Sequence, residues 1–224
     1  MTPVFSKRFA RKLVLLAAIS AALASAAFPG SAQALNPEQT SVTNIVNTVY
    51  WNLDAYWRPS RQAGVAYYDY YYRGVLVDFA TPCGNTSGYH GAEGFFCPTN
   101  EAIYFDFNQQ ANNVARFGDG STAFWTAHEY GHHIEKLLGI DWRTYAPYHE
   151  LLADCFAGMY FHHGVYTSRV LRYNDYLEAR NQIWALGDGD QAHGTRIQRL
   201  DAFDFGFEQE LSRDVCINGA GAEY

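Results

Sequence analysis

Downstream of residue 34 the 224-residue chain has no second long apolar run, no low-complexity tract, no internal repeat and no block of like charges. These absences exclude a multi-span helical membrane protein, a solenoid and a charged tail or linker. A basic surplus is missing too: 16 Lys and Arg stand against 23 Asp and Glu, a net charge of −7. A surface of that sign repels phosphate backbones, so nucleic acid is not an expected partner. Cysteine is limited to four residues, none near the N-terminal apolar run, which gives no support to lipoprotein processing.

What is present begins with Lys7, Arg8, Arg11 and Lys12, an apolar run from Leu13 through Ala27, and small residues ending in Ala32-Gln33-Ala34. That order predicts a secretory signal peptide over residues 1–34, cleaved after Ala34, with Ala24-Ser25-Ala26 as a second cleavage site. Retention as an uncleaved anchor is the alternative; Ser20, Ser25 and Pro29-Gly30 interrupt or close the run and count against it. Cleavage removes 4 of the 16 basic residues and no acidic one, leaving 12 against 23, a net −11. The expected location is secreted or cell-envelope/periplasmic. In such an oxidising compartment the four cysteines read as two disulfides. Of three possible pairings, Cys83 with Cys97 is preferred because it staples a glycine-rich loop, which leaves Cys155 with Cys216; a buried free Cys155 is the alternative. Closing the shorter loop stabilises by roughly 3 kcal/mol.

Residues 35–40 read as a flexible leader and 41–224 as one domain. From Ser41 to Trp57 apolar residues recur at steps of three and four, which predicts an amphipathic helix. Gly74 to Phe79 and Ala102 to Phe107 read as strands, with a glycine-rich loop from Cys83 to Cys97 between them. After Gly120 the pattern turns helical almost to Leu211, with breaks near residues 139–141, 146–147, 164 and 187–194. The predicted class is α+β: a small antiparallel sheet packed on a helical layer.

His128-Glu129-Tyr130-Gly131-His132 sits inside the helical segment Ser121 to Leu138. Residues four apart project from one helix face, so both imidazoles reach one ion while Glu129, one step round, touches a water on it. Gly131 leaves room beside the metal for substrate or another element. Glu150, eighteen positions after His132, is the third-ligand candidate; a His₂Glu set leaves a fourth position open for water, the mark of a catalytic zinc. Asp154 shares a helical face with Glu150 and is placed to accept the second ring N–H of a ligand histidine. His149 is the rival ligand.

Four stretches carry a resemblance: Phe96-Cys97-Pro98 with Ile103-Tyr104-Phe105-Asp106; Ala127 through Ile134; Glu150 through Gly158; and His193-Gly194-Thr195 with Gln198-Arg199, Phe203, Gly206-Phe207 and Cys216. In this order they resemble the bacterial neutral zinc metallopeptidases, a gluzincin-like family. The resemblance implies a zincin-like fold, Zn²⁺ as cofactor, a peptide or protein substrate, His128, His132 and Glu150 as ligands and Glu129 as general base. It also supports both proposed disulfides. The chain departs from the family pattern at Glu135, Leu152 and Asp204-Phe205, which bears on substrate preference and leaves the metal ligands intact.

Several further features have two readings. His193, in a glycine-rich loop, either donates to a developing oxyanion or braces the helix start at Thr195. His162-His163 reads as a packed or solvent-facing pair before a second metal site, and the tyrosines at 67, 68, 70, 71 and 72 as sheet material before a substrate platform. Asp188 and Asp190 have no glutamate closing a calcium loop and read as turn residues. A zinc-binding but inactive cell-surface module, and a disulfide-held structural domain without metal, are the competing functions.

Overall fold

A proline without an N–H donor suits the first helical position, and Pro37 opens α1 (Pro37–Trp57). The helix therefore starts four residues before the expected Ser41, inside the stretch read as a leader. A computed structural model describes residues 37–58, 61–68, 71–72, 75–76, 78–140, 146–187, 192–208 and 213–219. The signal-peptide reading, the Asp188–Asp190 turn and Tyr70 lie outside them, as do the side chains of Tyr71 and Tyr72. Val42, Val46, Val49 and Leu53 form the buried stripe of α1 that the periodicity predicts.

Seven short strands follow: β1 (Gly64–Tyr68), β2 (Tyr71–Tyr72), β3 (Val75–Leu76), β4 (Ala80–Thr81), β5 (Gly84–Asn85), β6 (Gly94–Cys97) and β7 (Ala102–Asp106). The main sheet has the order β1-β7-β6, with β1 parallel and β6 antiparallel to β7. It is thus mixed where an antiparallel sheet was expected. Among the described residues, the expected strand at Gly74 to Phe79 is represented by β3, which pairs with β2 in a separate two-stranded ribbon. β7 lies where expected and is buried at all five residues, as befits the middle strand. β6 arises inside the stretch read as a loop; Cys97 at its end joins Cys83.

The helices are α2 (Phe107–Phe117), α3 (Asp119–Leu138), α4 (Ala146–His162), α5 (Tyr173–Ala185), α6 (Arg196–Glu208) and α7 (Arg213–Gly219). A π-turn, His163–Thr167, prolongs α4 around Gly164. α2 was not expected. Asp106 ends β7 and caps α2 by accepting from the Gln109 N–H at 2.9 Å. The α3 helix packs against α1, α2, α4, α5 and β6, so it is nearly all buried. Close helix contacts rest on glycine. A Cβ on Gly131 would stand 3.0 Å from the Ala153 Cα of α4, so the room beside His128 and His132 is filled by another helix. Between α4 and α6, a Cβ on Gly158 would come within 2.0 Å of the Phe203 carbonyl and one on Gly206 within 2.0 Å of the Cys155 carbonyl. The second disulfide, Cys155–Cys216, ties α7 to α4. The architecture is α+β, as the sequence predicts.

Candidate metal centre

Helical geometry sets the first half of the site. His128 and His132, one turn apart on α3, bring their rings to 4.8 Å between centroids. The α4 helix, held close by Gly131, supplies Glu150. Its Oε2 lies 3.3 Å from His128 Nε2 and its Oε1 3.7 Å from His132 Nε2. One donor atom from each of the three residues lies within 4.8 Å of the others, and this is the one such cluster of three among the described residues. Metal–ligand bonds near 2.0–2.2 Å in a tetrahedron put donors about 3.3–3.6 Å apart. The two separations, one from each Glu150 oxygen, lie close to that range, so the donor set stands near the spacing a zinc ion needs.

Each imidazole is braced differently. His128 is buried, and its Nδ1 meets Asp154 Oδ1 at 2.8 Å. Asp154, fully buried, also accepts from Arg199 Nε at 2.7 Å and from the second guanidinium nitrogen at 2.9 Å. Burial alone would raise the Asp154 carboxyl, but Arg199 and His128 hold it below the usual carboxylate range. The other imidazole, His132, is 19% exposed, and its Nδ1 lies 3.4 Å from Glu135 Oε1. Glu135 Oε2 in turn takes His149 Nδ1 at 2.7 Å. Burial would lower the His132 imidazolium; Glu135, Glu150 and Glu129 push it up to about 10. Glu129 is buried beside both rings, and its carboxyl is raised by burial, against the pull of the two imidazoles and of the Phe96 backbone N–H.

A cavity of about 420 Å³ opens onto the triad, lined by Glu93, Phe95, Phe96, Trp125, Glu129 and Arg199 among others. A second, of about 440 Å³, includes Pro98, Glu135, Lys136 and His149. They share Phe96, His132, Glu150 and His193, so the triad stands where two halves of one cleft meet. His193 is exposed on the turn before α6 and lines both halves. At the start of α6, Thr195 Oγ1 accepts from the Gln198 N–H, so threonine fills the capping role. His149, the rival ligand, is turned to Glu135 and is no part of the triad. His162 and His163 are packed: His162 Nδ1 donates to the Phe207 carbonyl at 2.7 Å, and His163 lies on Tyr56 at 4.7 Å between ring centroids. Tyr67 and Tyr68 belong to β1, and Tyr68 is fully buried.

Sequence reasoning missed three residues here. Arg199 carries the buried charge that balances Asp154, and the apolar face of α6 gave no sign that this arginine turns inward. Glu135, three residues after His132, braces that histidine; helical spacing was the available signal. Glu93 enters from a loop read only as glycine-rich. Of the departures from the family pattern, Leu152 is core, while Asp204 accepts from Tyr176 Oη at 2.7 Å and from Arg180 Nε at 2.9 Å.

Two histidines on one helical turn and a carboxylate from the next helix define the zinc-metallopeptidase class. The chain belongs to the family described as "Putative neutral zinc metallopeptidase", whose profile matches residues 13–213. It is 32% identical over 167 residues to the "uncharacterized protein YpfJ" of Escherichia coli (strain K12), covering 61% of this chain and 56% of that one. It is 27% identical over 207 residues to the "uncharacterized protein Rv2575" of Mycobacterium tuberculosis (strain H37Rv), covering 77% and 69%. The chain thus spans little more than half the length of YpfJ. No solved structure matches it. Among the described residues no helix is long and apolar enough to cross a membrane.

Proposed function

We propose that this chain is an exported zinc-dependent peptidase in which His128, His132 and Glu150 hold the ion and Glu129 is the general base. The observation that carries the reading is the convergence of three donor atoms within 4.8 Å at the junction of a two-sided cleft. Zinc held by such a set polarises a carbonyl and lowers the pKa of its water toward ~7. Glu129, buried beside both imidazoles, takes the proton of the attacking water and returns it to the leaving amine. Asp154 holds His128 in the tautomer that presents Nε2, and Arg199 keeps Asp154 ionised. His193 donates to the oxyanion as it forms; its presence in both halves of the cleft supports that role.

A peptide substrate is supported by β6. It is the edge strand of its sheet, and Gly94, Phe95 and Phe96 line the cleft. Phe96 turns its N–H toward Glu129, and in an antiparallel pair Gly94, two residues back, presents its backbone to the same side. An extended chain laid along that edge finds hydrogen-bond partners at strand spacing. Export is supported by the basic-then-apolar N-terminus ending at Ala34 and by the two disulfides.

In a mixed peptide library the zinc-loaded wild type is expected to cleave and Glu129→Gln to lose turnover by at least ~100-fold while retaining one zinc. Turnover surviving in Glu129→Gln rejects Glu129 as base. A wild type that holds zinc and cleaves nothing leaves the other reading, a metal-binding surface module.

A further inference from the structure

The first half of the cleft contains a carboxylate that the proposed reaction does not use. Glu93 immediately precedes the edge strand β6 and lines the same cavity as His128, Glu129 and His132. Phe96, three residues along, is the strand residue beside Glu129, so at strand rise the Glu93 backbone lies about 10 Å away along the cleft wall. That is about three residues of an extended peptide.

The surroundings of Glu93 are polar and rich in acceptors, and the Asp106 carboxylate adds negative charge nearby. Its Oε1 takes only long contacts, 3.4 Å from Gln109 Nε2 and 3.4 Å from Gln182 Nε2, while Oε2 takes Asn113 Nδ2. Gln110 Nε2 donates to the Glu93 backbone carbonyl at 2.9 Å. Gln110 and Gln182 are buried, and the Oε1 atom of each has no hydrogen-bond donor. No cationic side chain forms an ion pair with Glu93 among the described residues; Arg199, the cation acting on it, is committed to Asp154. The cluster therefore holds two unanswered acceptors and has no cation of its own paired with Glu93. Burial pushes the Glu93 carboxyl up to about 7, the sign of a carboxylate kept without a counter-ion.

A primary ammonium supplies what is missing, one positive charge with three N–H donors. We propose that Glu93 is the specificity-determining residue of the cleft, receiving an ammonium group of the peptide near the scissile bond. The ammonium comes from a lysine side chain or from a free α-amine. This assignment rests on the peptidase reading, and it names that enzyme's preferred substrate class.

The test uses the full chain, zinc-loaded, with Glu129→Gln to prevent turnover. Seven-residue alanine-based peptides with one lysine at successive positions are titrated calorimetrically, each beside its Nε-acetyl-lysine twin and its N-terminally acetylated twin. Peptides bearing the recognised ammonium are expected to bind roughly 10- to 100-fold more tightly than the twin that lacks it. Adding Glu93→Gln is expected to erase that difference. Adding Glu208→Gln, at an exposed position, leaves it in place and separates the site from general attraction to an acidic protein. Loss of affinity on lysine acetylation assigns the side chain; loss on N-terminal acetylation assigns the α-amine. Equal affinity within every pair of twins overturns the proposal, as does a preference that survives Glu93→Gln. Should that variant fail to fold, the twin comparison with Glu93 in place still decides. Wild-type cleavage without ammonium preference defeats the anchor alone, whereas an ammonium preference without any cleavage defeats the peptidase reading alone.

Discussion

His128 and His132 have the same side chain, the same helix and the same Glu150 partner, yet they are supported in opposite ways. His128 is fixed from inside the molecule by Asp154 and Arg199, both buried, in a closed chain of charge-assisted hydrogen bonds. His132 faces Glu135 on the cleft side across a 3.4 Å charge contact, and the other oxygen of Glu135 takes His149 on the wall of the second cavity. One imidazole is thus part of the core and the other part of the cleft. The difference teaches that damage to the first brace falls on folding and damage to the second falls on metal affinity.

Asp154→Ala has the largest expected effect. It strands the Arg199 guanidinium in the interior, and loss of one partner from a buried pair costs about 3–5 kcal/mol. The expected readout is a lower urea midpoint in protein stripped of metal; an unchanged midpoint would break the contrast at its strong end. Glu135→Gln comes next, with zinc affinity expected to fall about 10- to 100-fold by competition with a chelator. Its urea midpoint is expected to move much less than that of Asp154→Ala, and equal shifts would abolish the distinction between the braces. His149→Ala acts one step further out, so less than about tenfold in zinc affinity is expected; a larger loss would promote His149 to a brace of equal rank. The smallest effect concerns pH. Glu93 has its carboxyl pushed up from 4.5 to about 7, so the folded chain binds more protons than the unfolded one in that interval. Its contribution to stability is full below about 4.5 and is lost as pH rises through about 7. Glu93→Gln should therefore flatten stability across that window, with Asp154, held low by Arg199, giving the opposite slope at more acid pH.

What could be read from the sequence was whatever a short stretch of chain encodes by itself. His128, Glu129 and His132 lie within five residues and need only a helix to converge, and Glu150 with Asp154 repeats that logic on the next helix. The buried stripe of α1 and the central strand β7 follow from local periodicity. The disulfide Cys83–Cys97 followed from a glycine-rich loop between its cysteines. The unread parts depend on contacts between distant residues. β6 is four residues long and opens with Gly94, so neither length nor composition sets it apart from a loop. α2 carries Asn108, Asn112 and Asn113, which compete with the helix by bonding to nearby backbone, and its cap, Asp106, was taken for the strand before it. Glu93 gains its character from Gln109, Asn113 and Gln182, two of them on α2 and the third on α5, and no spacing within the chain announces that meeting.

The central claim is that two imidazoles and one carboxylate share a single ion with one coordination position left over. X-ray absorption at the zinc edge, with metal counted per chain, tests it most directly. The account predicts one zinc with two nitrogen and two oxygen neighbours, and loss of that zinc in His132→Ala and Glu150→Ala. Sub-stoichiometric zinc, sulfur in the coordination sphere, or full retention of the ion in both variants would contradict it.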